Sequence, residues 1–146
     1  MFRSILVAVD GSPTVRHALQ EAVDIARAQG ARLTILTVAP PVPTLMPVAG
    51  GDPRGIQDSA EEWAAGILRD ALAAVPEGVE AHTVLRIGHA SHEVVDELRG
   101  GDYDLVVLGS RGRSATRAGV LGSVNGAVHF HTSVPMLSFP TEDEHG

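Results

Sequence analysis

Residues 3–13, RSILVAVDGSP, decide the fold, because they pass from a buried strand through a turn into a helix. Residues 3–9 form a run of aliphatic and β-branched residues that predicts a strand, and the next four residues predict a turn. Asp10 or Ser12 can cap the following helix, and Pro13 suits its first turn. Apolar residues then recur at helical spacing until Gly30, so the chain opens with a β-α unit.

The same alternation of strand and helix patterns continues to the end of the chain. Further strands are predicted at 31–39, 79–87, 104–110 and 134–139, and further helices at 59–75, 91–99 and 123–131. In the second helix, Trp63, Ile67 and Leu68 are expected on the inner face. Residues 40–57 contain five of the nine prolines, so they predict a loop, which we expect to be mobile when no ligand is bound.

This order of elements predicts an α/β fold with a doubly wound, Rossmann-like parallel sheet. Continuous apolar strands that alternate with helices indicate a sheet covered on both faces. Right-handed crossovers favour five strands in the order 3-2-1-4-5, with a ligand crevice beyond the carboxyl ends of strands 1 and 4. We expect one domain over residues 1–140 and a flexible acidic tail over residues 141–146.

Composition excludes several classes of protein. The chain has 146 residues, 44% of them hydrophobic and 20% charged, which is typical of a globular domain. A net charge of −7 argues against a nucleic-acid partner, and apolar runs of strand length argue against a membrane span. The absence of cysteine excludes disulfides, thiolate catalysis and thiolate-bound zinc. With no secretory signal in the opening residues, a cytoplasmic protein is expected.

Residues 109–128, GSRGRSATRAGVLGSVNGAV, are rich in glycine and in hydrogen-bond donors. No acid occurs between Asp104 and Glu142, whereas three arginines do, which indicates an anion site in an otherwise acidic protein. Free N–H groups at the start of the last helix favour the same chemistry. A flexible loop followed by a helix cap is the alternative. The chain has no lysine, which excludes a Walker A loop, and it has no dinucleotide fingerprint.

The spacing Gly109-x2-Gly112-x9-Gly122-Ser123 resembles the ATP-binding signature G-x2-G-x9-G-[S/T] of the universal stress protein family. The stretch ILVAVDGSPTVRHAL, residues 5–19, resembles the opening strand, turn and helix of that family, and DLVVLGSRGRS resembles its fourth strand. The resemblance implies a five-stranded Rossmann-like fold, ATP binding and a homodimer, which we place on strand 5, residues 134–139.

The resemblance also implies which residues would contact the nucleotide. Ala8, Val9 and Asp10 would lie near the ribose or a nucleotide-bound Mg²⁺, and the backbone of Val38 would meet adenine. The ribose and phosphates would be lined by Leu108, Gly109, Gly112, Gly122, Ser123, Val124 and Asn125. Asn125 departs from the family pattern, in which serine or threonine is usual. Helix capping is the alternative role for Asp10.

The resulting hypothesis is an ATP-binding regulator of the stress response. No catalytic residue is predicted, and any ATP hydrolysis should be slow, because no positioned base or catalytic lysine is visible. Two alternatives stay open: a structural or interaction dimer that binds no nucleotide, and a slow adenine-nucleotide hydrolase. His89 and His92 lack a third ligand, so surface histidines are the better interpretation than a metal site.

Overall fold

A computed structural model describes residues 1–12, 15–41, 53–109 and 120–139. Its five strands are β1 (Ser4–Ala8), β2 (Arg32–Ala39), β3 (Ala81–Ile87), β4 (Leu105–Gly109) and β5 (Met136–Phe139). Its four helices are α1 (Val15–Gln29), α2 (Pro53–Ala73), α3 (Ala90–Gly100) and α4 (Val120–His131).

The strands form one parallel sheet in the order β3-β2-β1-β4-β5, which confirms the predicted doubly wound fold. α1 and α2 border one groove on one face of the sheet, and α3 packs on α4 on the other face. The winding reverses between β1 and β4, and Ala8 pairs with Leu108 there. The ligand crevice predicted for such a sheet therefore lies beyond these two strands.

β1 and β4 form the centre of the core, and every side chain in both strands is buried. The Asp104 carboxylate fixes the start of this pair, because it accepts hydrogen bonds from the backbone N–H groups of Arg3 and Ser4 at 2.9 and 3.1 Å. Residues buried on both faces must read as continuous apolar runs, which explains why these strands are visible in the sequence.

Several predicted boundaries were wrong by two residues or more, including the start of β3, which is Ala81 rather than residue 79, and the end of α2, which is Ala73 rather than residue 75. α2 begins at Pro53, inside the expected loop, because proline is accepted at the first position of a helix. α4 begins at Val120 rather than at residue 123. β5 begins only at Met136, because Pro135 before it has a fixed φ and no N–H to donate. The middle of the predicted mobile loop, residues 42–52, lies outside the described residues, as does the tail over residues 141–146.

A polar cluster joins β3 to α3. Arg86 donates to Glu93 Oε1 through Nη1 and to Glu97 Oε1 through Nε, both at 2.9 Å. The Tyr103 hydroxyl donates to Glu97 Oε2 at 2.7 Å. The bonds to Glu93 and Glu97 raise the pKa of Arg86 above its usual value. The cluster thus holds α3 against the β3 edge, next to the turn at Gly88.

Tyr103 is the only tyrosine, so its titration can be followed directly by tyrosinate absorbance. Burial first, and then the bond to Glu97, raise its pKa from 10.0 to about 12. Because the pKa is higher in the folded protein, this contribution to stability is fully present below the unfolded pKa near 10 and is lost as the pH rises towards 12. Glu97→Gln should lower the pKa of Tyr103, whereas Glu93→Gln, which leaves the Tyr103 bond in place, should not. Equal pKa values in the parent and Glu97→Gln would contradict this arrangement.

Within the described ranges, no helix is both long and apolar enough to cross a membrane. The division into one domain over residues 1–140 and a short tail stays a prediction.

Candidate functional site

The carboxyl ends of β1 and β4 are buried in the core. Ala8, Val9 and Leu108 are buried, as is Gly109 at the end of β4. Their side chains belong to the core, and the Val9 N–H and C=O groups already bond β2, so the ligand contacts expected of these residues stay predictions.

The turn between β1 and α1 is organised by Asp10. Its Oδ1 accepts a hydrogen bond from the Ser12 N–H at 3.0 Å, and Gly11 between them has a φ of +82°, which favours glycine. The Ser12 carbonyl in turn accepts from the Val15 N–H at 3.2 Å. This bond lies within the turn, because Ser12 precedes α1, so it is not the helix capping that was the alternative role for Asp10. A carboxylate offers about four lone-pair positions, so one such bond leaves acceptor capacity for a ligand hydroxyl.

The neighbouring end of β2 is tied to β1 and to β3. The buried Thr37 hydroxyl donates to the Val9 carbonyl at 2.7 Å, and the Val9 N–H donates to the Leu36 carbonyl at 2.8 Å. On the other side, the Gly88 N–H donates to the Ala39 carbonyl at 3.0 Å. These bonds hold the backbone of Asp10 and Val38 in fixed positions at the carboxyl-terminal end of the sheet.

A cavity of about 600 Å³ opens at the carboxyl-terminal end of the sheet. That volume lies within the range of roughly 300–1,000 Å³ usual for small-molecule sites. Half-buried Val38 and the two exposed prolines Pro40 and Pro41 supply apolar surface, and Asp10 supplies a carboxylate. The remaining lining residues are Thr37, Trp63, Gly88, His89 and Ala90. The cavity can thus hold a flat apolar group on one side and accept hydroxyl hydrogen bonds on the other.

The start of α4 contains the other predicted contacts. Gly122 and Ser123 lie within its first four residues, whose N–H groups have no partner within an α-helix. Val124 is fully buried, and Asn125 is half-buried, with its Oδ1 accepting from the Ser138 hydroxyl at 2.6 Å. The Asn125 amide is therefore directed towards β5. Gly112 lies outside the described residues.

A model of the universal stress protein family matches residues 1–140. The chain belongs to the universal stress protein family. It is 34% identical over 145 residues to the universal stress protein YxiE of Bacillus subtilis, covering 94% of this chain and 98% of the relative. The likeness thus extends over nearly the full length of both proteins.

Solved universal stress proteins share the fold of this one. UspA from Lactobacillus plantarum superposes with a TM-score of 0.78 at 26% identity, covering 94% of this chain and 97% of the other. A universal stress protein crystallised in complex with cAMP superposes with a TM-score of 0.69 at 25% identity, covering 97% and 99%.

In this universal stress protein the structure adds cavity residues that sequence reasoning missed. Thr37 and His89 line the cavity, and so does Trp63, which was wrongly placed on the inner face of α2: it is 58% exposed, whereas Leu68 is buried as expected. The predicted strand order contains a signal for Thr37 and His89, because it places the ends of β2 and β3 side by side.

His89 and His92 are both exposed, and among the described residues no group of three or more acids and histidines could hold a metal ion.

Proposed function

We propose that this universal stress protein binds ATP at the carboxyl ends of β1, β2 and β4, and that the bound nucleotide regulates its part in the stress response. The observation that carries the proposal is the cavity bordered by Asp10 and Val38 at the carboxyl ends of β1, β2 and β3, next to the β1–β4 pair at which the sheet reverses its winding. Ligands of doubly wound sheets bind at that point. The complex of a related universal stress protein with cAMP supports an adenine nucleotide.

Each part of ATP has a chemically suitable place in this proposal. The apolar surface of Val38, Pro40 and Pro41 would take adenine, and the Asp10 carboxylate would accept from ribose hydroxyls. The triphosphate would meet the N–H groups of the first turn of α4, where the helix dipole favours negative charge. Mg²⁺ would enter with the phosphates, and the Asp10 carboxylate would be the protein group to hold it.

Gly122→Val and Ser123→Ala test the phosphate contacts. Each should weaken ATP binding by about 1–3 kcal/mol, because hydrogen bonds to a charged phosphate are lost or displaced. Isothermal titration calorimetry measures the affinity, and circular dichroism checks that the fold is retained. Ser59→Ala is the matched control, since the Ser59 hydroxyl on α2 donates only to the Gly55 carbonyl, at 3.0 Å, and should leave ATP affinity unchanged. Parental ATP affinity in both α4 variants would refute the phosphate assignment.

Mass spectrometry of ligand released from the purified protein separates this function from its alternatives. An adenine nucleotide is the expected result, and failure of the parent to retain or bind any nucleotide would favour the structural or interaction dimer. Measured turnover of ATP separates the third alternative, a slow hydrolase.

We further propose a homodimer through β5 in a cytoplasmic protein. β5 pairs with β4 along one edge, and within the described part of the chain no strand pairs with its other edge. Met136, Leu137 and Phe139 are only half-buried there, so a second copy of β5 could cover apolar surface as well as pair backbone groups.

A further inference from the structure

Trp63 is the only tryptophan of the chain and stands out by its exposure. It is 58% exposed, although Ala64 and Leu68 on the same helix are buried. A large aromatic side chain at the surface leaves apolar area in water, which becomes informative where that area borders a cavity.

The indole has a fixed position beside the proposed nucleotide site. A methyl group built on Gly11 would lie 3.8 Å from Trp63 Cζ2 and 3.0 Å from Ile67 Cδ1, so both side chains lie against the β1–α1 turn. Gly11 directly follows Asp10 in that turn. One edge of the indole thus lies near the turn that contains Asp10, and Trp63 lines the same cavity as Asp10 and Val38.

We propose that Trp63 is the stacking residue for the nucleobase and so determines the preference of the site for nucleotides over other phosphorylated ligands. This inference rests on the proposed function, because it assigns a residue to the base of the same ligand. An indole presents a large flat π-surface, and stacking on aromatic side chains is a general way of holding a base. Apolar Val38 would limit the cavity beside the stacked base.

Trp63 also borders a groove of about 630 Å³ between α1 and α2, with Leu19 and Val23 among its lining residues. The nucleobase is the better-supported contact, because the cavity side combines apolar surface with the Asp10 carboxylate that a nucleoside needs. An apolar ligand of the groove would interact with Trp63 independently of nucleotide, and the experiment below distinguishes the two.

The experiment compares ATP with tripolyphosphate, which has the phosphates but no base. Because Trp63 is the only tryptophan, its fluorescence reports the contact directly, and ATP should change the emission of the parent whereas tripolyphosphate should not. Trp63→Ala should weaken ATP binding about 10-fold, Trp63→Phe should weaken it less, and tripolyphosphate affinity should be unchanged in both. Leu72→Ala is the matched control, since Leu72 is an exposed apolar residue of the same helix, outside the cavity lining.

Two outcomes would overturn the stacking role while leaving ATP binding intact. The first is parental ATP affinity in Trp63→Ala, which would leave the exposed indole to the groove between α1 and α2. The second is an equal loss of ATP and tripolyphosphate affinity, which would show that Trp63 supports the site only structurally. A parent that binds no ATP would refute the proposed function itself and this inference with it.

Discussion

Gly88→Ala should lower the free energy of unfolding by about 2–4 kcal/mol, through backbone strain and a side-chain clash together. Gly88 has a φ of +152°, a conformation that residues with a Cβ rarely adopt. The added methyl would also lie 2.6 Å from Glu93 Oε2 and 2.9 Å from Glu93 Cγ. To make room, the Glu93 carboxylate must leave Arg86, which breaks a 2.9 Å ion pair between β3 and α3. Chemical denaturation measures the loss.

Gly78→Ala is the matched control for strain alone. Gly78 also has a positive φ, +96°, but a Cβ there would meet no atom within 4 Å, so its replacement should cost only about 1–2 kcal/mol. In a Glu93→Ala background the clash is gone, and the cost of Gly88→Ala should fall by about 1 kcal/mol or more. The same cost with and without the Glu93 side chain would mean that the clash contributes nothing.

Ser138→Pro should convert the proposed dimer to a monomer. The Pro135 carbonyl accepts from the Val106 N–H at 2.9 Å, so Pro135 faces β4. Because successive residues of a strand direct their backbone groups to opposite sides, Leu137 also faces β4, whereas the N–H groups of Met136 and Ser138 point to the free edge. Proline at 138 thus removes a donor from the edge and leaves the inner ladder complete. Proline at 137 would instead break the ladder with β4.

Sedimentation equilibrium of three proteins tests this. The parent and Ser138→Ala should be dimers in the micromolar range, and Ser138→Pro should be a monomer with an unchanged circular dichroism spectrum. Ser138→Ala is the control because it removes the hydroxyl bond to Asn125 but keeps the backbone N–H. A monomeric parent would refute the dimer, and a dimeric Ser138→Pro would move the interface away from β5.

The sheet could be predicted well from the sequence, because strands that are buried on both faces consist of uninterrupted apolar residues, as in Leu105–Gly109. The start of α2 was missed because a proline was taken as loop, although Pro53 stands where a helix accepts it. The orientation of Trp63 on α2 was predicted wrongly for another reason. The buried residues of α2 include Ala64, Leu68 and Ala71, at helical spacing, and Trp63 lies beside that face, so the apolar character of a residue does not by itself show that it is in the core.

The candidate site was predictable only in part, because topology places residues at the site but does not show which side chains line it. The strand order places Asp10, Val38 and Gly109 at the carboxyl-terminal end of the sheet. This placement follows from the topology alone and does not depend on the positions of side chains. The strand order also places Thr37 at the end of β2, but its hydroxyl bond to the Val9 carbonyl was not predictable, because a threonine inside a strand resembles any other β-branched residue.

The pairing of β1 with β4 also has a consequence for the order of events during synthesis. Asp104 binds the backbone of Ser4 across 100 positions of the chain, so the neighbouring strands β1 and β4 come from distant parts of the polypeptide. Contacts this distant form late, because a long loop must close before they contribute any stability. A nascent chain that lacks β4 and α4 therefore contains the residues that line the cavity, from Asp10 to Ala90, but not the proposed phosphate contacts on α4. Ligand retention would distinguish finished molecules from fragments, and ligand excess would favour completion of folding by mass action.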